Sequence, residues 1–171
     1  MVGGLLTGLL GLASIPLFFM MANSMSSPET GSVIGLTVDE EGRVTAAVAV
    51  CEGEADMLDL AEWSESQKVG DRTGEWPISA DGGLRLVQLS EDGSVGRAEQ
   101  LGIGLDQGAI LSSYSSTRWG SDALVFFGAD LQALREGQVW LRGTPGSEQQ
   151  REEELIPVDS FRMVACELGA P

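Results

Sequence analysis

The chain opens on an apolar run and then breaks into short segments that alternate between apolar and polar positions. Between Met1 and Pro28 the residues Leu5, Leu6, Leu9, Leu10, Leu12, Ile15, Leu17, Phe18, Phe19, Met20 and Met21 are interrupted only by small residues and Pro16. From Ser32 the period changes to two, with Ile34, Leu36 and Val38 on one face. After the turn Asp39-Glu40-Glu41-Gly42 the alternation resumes at Val44, Ala46, Val48 and Val50. Two such runs around a short glycine-containing turn predict a β-hairpin, because side chains on a strand face opposite sides at every second residue.

The same reading continues along the chain. Met57 to Trp63 is a third strand, and Ser64 to Gly83 is a long polar connection with one short strand near Trp76 and Ile78. Leu84 to Leu89 is the fourth strand, and the turn Glu91-Asp92-Gly93 leads into a fifth over Arg97 to Ile103. Ala109 to Leu111 runs into the serine-rich stretch Ser112 to Thr117, expected as an exposed loop or edge. Ala123 to Phe127 is a strongly apolar strand, and Asp130 is placed to cap a short helical turn from Leu131 to Glu136 ending at Gly137. Gln138 to Arg142 sets Val139 and Leu141 opposite Trp140, and after an acidic loop Leu155 to Val158 enters the last element. There Asp159 or Ser160 caps a helical turn through Phe161, Met163 and Val164 to Cys166. Short strands with turn signals between them predict an all-β fold, an antiparallel sandwich (immunoglobulin-like) or an open barrel, preceded by an N-terminal apolar helix.

The placement of charge divides the chain further. All 36 charged side chains lie from Glu29 onward, so residues 1–24 read as a signal peptide or membrane anchor, 25–31 as a linker and 32–171 as the β domain. An apolar run of this length can cross a bilayer, which takes about 20 residues. Ala22 and Ser24 supply the small residues that a signal-peptide cut before Met25 needs. An uncleaved anchor is the second reading, and a core helix of a soluble fold, or a wrongly chosen upstream start codon, is the third. The absence of Lys or Arg before Arg43 stands against export. An exported chain also fits the even cysteine count, which then reads as one disulfide between Cys51 and Cys166, with two buried thiols as the alternative.

Composition narrows the chemistry. With no histidine, Ser-His and Cys-His catalysis and His-ligated zinc are excluded. A net charge of −16 opposes binding to nucleic acid, because phosphate contacts need clustered Lys and Arg. The stretch Gly102-Ile103-Gly104-Leu105-Asp106-Gln107-Gly108 has one residue too many for a dinucleotide fingerprint and reads as a turn. Glu52, Glu54, Asp56, Asp59 and the run Glu152-Glu153-Glu154 are the candidates for the paired carboxylates of a hydrolase. With 26 acidic residues such neighbours arise by chance, so no catalytic residue is expected. Asp39, Glu40, Glu41, Glu91 and Asp92 offer calcium-type oxygens but fit no calcium loop, so neither a metal nor a cofactor is expected. Tryptophans on short strands mostly fill cores, which leaves Trp119, beside Arg118 in a Gly/Ser-rich stretch, and Tyr114 as the candidate exposed aromatic contacts.

Nine arginines against the single Lys68, with many Gly, Ala and Val, suggest GC-rich coding. In that setting three stretches carry a resemblance: Val33-Ile34-Gly35-Leu36 leading into Val48-Ala49-Val50-Cys51, then Asp130 through Val139, and the ending Phe161-Arg162-Met163-Val164-Ala165-Cys166. On these the chain resembles small exported actinobacterial proteins of unknown function, over about a quarter of its length, although the lipobox cysteine common among them is absent. The resemblance implies an extracytoplasmic compartment, secreted or at the outer face of the cytoplasmic membrane, and a β fold. It brings no functional residues. The expected role is a non-enzymatic binding or surface-assembly module with a protein or glycan partner, and membrane contact through the leader if that is uncleaved. A hydrolase using acidic residues only and an extracytoplasmic sensor domain are the alternatives.

Overall fold

The structure, a computed structural model, describes residues 31–64, 69–80, 82–115, 118–142 and 154–168, apart from the side chains at 80, 118–122 and 168. The expected N-terminal helix, the cleavage residues Ala22 and Ser24, and most of the linker lie outside the described residues. The domain is a two-sheet sandwich in which every strand pair is antiparallel. One sheet has the order β5-β2-β1-β8-β9, from β1 (Gly31–Val38), β2 (Val44–Glu52), β5 (Gly83–Gln88), β8 (Gln138–Leu141) and β9 (Glu154–Pro157). The other has the order β4-β3-β6-β7, from β3 (Ala55–Trp63), β4 (Val69–Ala80), β6 (Gly108–Ser115) and β7 (Arg118–Phe127). The two sheets remain separate, so the fold is a sandwich and not an open barrel.

The predicted hairpin is present: β1 and β2 pair from Val38 opposite Val44 to Ser32 opposite Val50. Gly42 holds φ +79° in the connecting turn, a conformation that a Cβ would oppose. The main core lies between the sheets, where Leu36, Val44, Val48, Leu58, Leu60, Leu111, Leu124, Phe126 and Trp140 are all at most 2 % exposed. Trp140 buries its indole Nε1 there without a hydrogen-bond partner among the described residues.

A third layer covers the other face of the five-stranded sheet. Helix α2 (Val158–Leu168) packs Phe161 and Ala165 onto Ala47, Ala49, Val139 and Leu141, forming a second core. β2 is therefore buried on both faces, with Val44, Ala46, Val48 and Val50 toward the sandwich and Ala47 and Ala49 toward the helix. The alanines keep that surface low enough for a helix to lie against it. Gly35 has the same role on β1: an added Cβ would run into the Val139 side chain and stand 2.9 Å from the Trp140 carbonyl oxygen and 3.3 Å from Phe161 Cζ. Gly35→Ala is therefore expected to cost about 1–3 kcal/mol by overpacking. It should lower the urea midpoint with an unchanged m-value, and an unchanged midpoint would show that the helix yields freely.

Four expectations are corrected. Arg97 to Ile103 is not a strand: α1 (Arg97–Gln100) is a single helical turn, followed by a turn at Leu101 and Gly102. The apolar Leu101 and Ile103 plug one end of the main core instead of lining a sheet, and this end-capping role gives the same apolar spacing as a strand. Ser112 to Ser115 is neither loop nor edge, because β6 runs between β3 and β7. Its fully buried Ser113 is tolerated because its hydroxyl meets that of Ser32 at 2.8 Å across the sandwich. The long connection after Ser64 contains the 12-residue edge strand β4, whose Gly, Pro and charged residues suit an edge. Asp130 does not cap the following 3₁₀ turn (Asp130–Ala133): its carboxylate turns back to accept the Phe127 N–H at 2.8 Å and pairs with Arg142 at 3.1 Å.

Cys51, at the end of β2, and Cys166, in the last turn of α2, form a disulfide with a Cα–Cα distance of 5.4 Å. It joins residues 115 apart in sequence and fastens the C-terminal helix to the end of β2, an inner strand of the five-stranded sheet. Helix α2 begins at Val158, one residue before the expected caps, so Asp159 sits in its first turn, where the helix dipole favours a carboxylate. Among the described residues, no helix is long and apolar enough to cross a membrane.

Candidate functional site

Two regions bring chemistry-bearing residues together. The first is the outer face of the four-stranded sheet, where Met57, Asp59 and Trp63 of β3 alternate with the core residues Leu58 and Leu60. Ile110, Ser112 and Tyr114 of β6 stand beside them, with Tyr114 opposite Met57, Ser112 opposite Asp59, and Gly108 between Trp63 and Phe127. The Trp63 and Phe127 rings meet edge to face over Gly108, with centroids 5.9 Å apart. Tyr114 is half-buried in this face. Trp119 falls within β7, and its side chain is outside the described residues.

The charged members of this face form one cluster. Arg72 reaches Asp59 at 3.1 Å and Glu75 at 2.6 Å. Burial is the largest influence on Asp59 and lifts its carboxyl above the usual 3.8, with Arg72 opposing and Glu75 adding to the rise. In the window just above 3.8 the native state holds a proton that the unfolded chain has released. Stability from this group is thus greatest at acid pH and falls as pH rises. Asp59→Asn removes that dependence, so the difference in melting temperature, variant minus parent, should be more positive at about pH 7 than at about pH 3.5. A reversed difference would show that the Arg72 pair outweighs the burial, and a constant one that the two cancel.

The second region is a cleft of about 530 Å³ at the end of the sandwich that carries the β1–β2 turn. It is lined by α1, by Ile103, Gly104 and Leu105, and by Gly128 and Gln132. Its walls are tied down by hydrogen bonds. Gln100 Oε1 accepts from the Val44 N–H at 2.9 Å and the Ser90 hydroxyl at 2.6 Å, and its Nε2 donates to the Gly42 and Val95 carbonyls, each at 3.1 Å. The Gly128 N–H donates to the Gln107 carbonyl and the Ala129 N–H to that of Leu105. Leu105 is 51 % exposed at the rim, whereas Ile103 is buried in the floor.

Arg97 lines this cleft, and Arg135, outside its lining, meets Arg97 on shared backbone carbonyls. Arg97 Nη1 donates to the carbonyls of Leu131, Gln132 and Leu134 at 2.9, 3.1 and 3.0 Å. Arg135 Nη1 donates to the Gln132 and Leu134 carbonyls at 3.0 and 2.8 Å. Arg135 is itself positioned by the buried Thr37, whose hydroxyl donates to its carbonyl at 3.2 Å. Sequence reasoning missed both: Arg97 lay in an expected strand, Arg135 in an expected helical turn, and nothing in their spacing signals that they meet.

The other candidates are dispersed. Asp39 is tied into its own turn: burial alone would raise it, but the Arg43 and Glu41 N–H groups and the Arg43 guanidinium hold it below its usual value. Bonds from the hydroxyl and N–H of Ser94 likewise lower Asp92. Asp56 lies 3.5 Å from the Ser115 hydroxyl, Glu154 begins β9, and Glu152 and Glu153 are outside the described residues. A smaller cavity of about 420 Å³ sits beside the disulfide, lined by Cys51, Asp159, Arg162, Met163 and Cys166. Among the described residues no three Cys, Asp or Glu side chains lie close enough together to hold a metal ion. No family model, curated protein or solved structure matches the chain.

Proposed function

We propose that this chain is an exported or membrane-anchored acidic β domain that works by binding, or as part of a surface assembly, and not by catalysis. The observation that carries the reading is the Cys51–Cys166 disulfide, since such bonds persist in oxidising compartments outside the cytoplasm. The uncharged run before Glu29 supports it as an export signal or anchor. The fold adds an orientation. The chain enters the domain at Gly31, opposite Glu52, at the end that also carries Cys51. The 530 Å³ cleft lies at the other end, beyond the 8-residue strand β1, which spans about 25 Å. An anchored domain of this build holds its cleft away from the bilayer. The competing reading, a hydrolase using acidic residues alone, finds a neighbouring pair in Asp59 and Glu75, but both bind the Arg72 guanidinium.

The test is the intact mass of the protein recovered from its own host, alkylated with and without prior reduction. A chain that begins at Met25 and resists alkylation until reduced supports export and cleavage, and a full-length oxidised chain supports an anchored domain. A full-length chain with two free thiols would overturn the compartment.

A further inference from the structure

From the Arg97–Arg135 pair we infer that the cleft is a binding site for an oxyanion, a carboxylate or phosphate group carried on a small apolar body. This gives a ligand class to the binding role proposed above, but it is tested in solution and stands or falls independently of export. The chain has 10 basic against 26 acidic residues, so an arginine has many possible carboxylate partners. Arg43, Arg72 and Arg142 take them. Arg85, Arg97, Arg135 and Arg162 have no carboxylate partner among the described residues, and of these Arg97 and Arg135 come together by sharing the Gln132 and Leu134 carbonyls.

That arrangement sets two like charges side by side, and their repulsion is relieved when an anion joins them. Each guanidinium uses only Nη1 on the carbonyls, leaving Nε–H and the Nη2 hydrogens without partners among the described residues. Those donors form the planar fork that matches a carboxylate or phosphate. Arg97 lines the cleft together with Ile103, Leu105 and Ala98, and with Gln132 and the acidic Glu99. An oxyanion at the guanidinium therefore has apolar surface beside it for a short hydrocarbon body and must sit on the Arg97 side, away from Glu99. The backbone bearing the shared carbonyls is anchored by the fully buried side chains of Leu131 and Leu134, and Thr37 holds the next carbonyl, that of Arg135. The acceptors that seat both guanidinium groups are thus in place before any ligand arrives. The rest of the surface repels anions at a net charge of −16, so an anion that binds reports a built site and not diffuse attraction.

The test titrates the protein as recovered from its host with hexanoate, hexyl phosphate and the neutral hexanamide, following backbone amide shifts by NMR. The expected result is that at least one anion binds tenfold or more tightly than hexanamide, with shifts at Ala98, Ile103, Gly104, Leu105 and Gly128. Which anion binds more tightly separates the carboxylate from the phosphate source. Arg135→Gln should weaken anion binding at least threefold while leaving hexanamide unchanged. Arg97→Lys, which keeps the charge but loses the fork, should weaken it further, with near-ultraviolet circular dichroism confirming the fold. Should Arg97→Lys fail to fold, Arg135→Gln and the three ligands decide the matter. Equal binding of hexanamide and the anions, shifts away from the cleft, or anion binding untouched by Arg135→Gln would each overturn the site.

Discussion

Replacing both Cys51 and Cys166 with alanine is expected to lower stability by about 5 kcal/mol. The bond closes a loop between residues 115 apart, and on the chain-entropy argument a loop of that length restricts the unfolded state by about this amount. For a domain of this size the loss corresponds to a drop of roughly 10–20 °C in melting temperature, read by scanning calorimetry of oxidised parent and double variant. The sandwich should persist, because the main core lies on the far side of the five-stranded sheet from α2. A loss below about 1 kcal/mol would mean that packing alone holds the helix and that the unfolded chain is already compact near the bridge.

Phe161→Ala is the second large effect, at about 3–5 kcal/mol. Phe161 is fully buried and is the largest side chain in the second core, wedged over Gly35 between α2 and the sheet. The other fully buried contact from the helix is Ala165, which is too small to compensate. An 11-residue helix is marginal on its own, so losing Phe161 should loosen α2 and not simply leave a hole. Hydrogen exchange should quicken along α2 while the amides of β6, in the other sheet, keep their protection. Because Phe161 and the disulfide fasten the same helix, combining Phe161→Ala with the cysteine replacements should cost less than the sum of the separate losses. Strict additivity would show that the two anchors hold the helix independently.

Much of the strand framework was legible because a strand buried on one face writes its burial into a period of two. The β1–β2 hairpin is the clearest case, and β8 is another, with Trp140 in the main core and Val139 and Leu141 beneath the helix. The same logic misled where an apolar residue was buried for another reason. Leu101 and Ile103 repeat at a strand-like interval because they plug the end of the sandwich beside a helical turn. Ser113 looked like loop chemistry because its partner, Ser32, is 81 residues away. Tyr114, the candidate aromatic contact, is half-buried on the outer face of its sheet, opposite Met57. The Trp63–Phe127 pair that shares this face was not foreseen, since only the register through Gly108 brings the rings together.

Local order, then, was already written in the chain: the all-β class, the main hairpin, the C-terminal helical element and the cysteine pairing follow from periodicity, turn residues and count. What the three-dimensional arrangement alone supplied was every meeting of distant parts. It buried β2 on both faces, laid α2 over Gly35 and the alanines, and brought Arg97 and Arg135 onto the same two carbonyls. The physical reason is the range of the forces involved. Periodicity records which side of an element is dry, whereas the partner on that side, and the charges gathered at its ends, are set by packing between segments that share no local pattern.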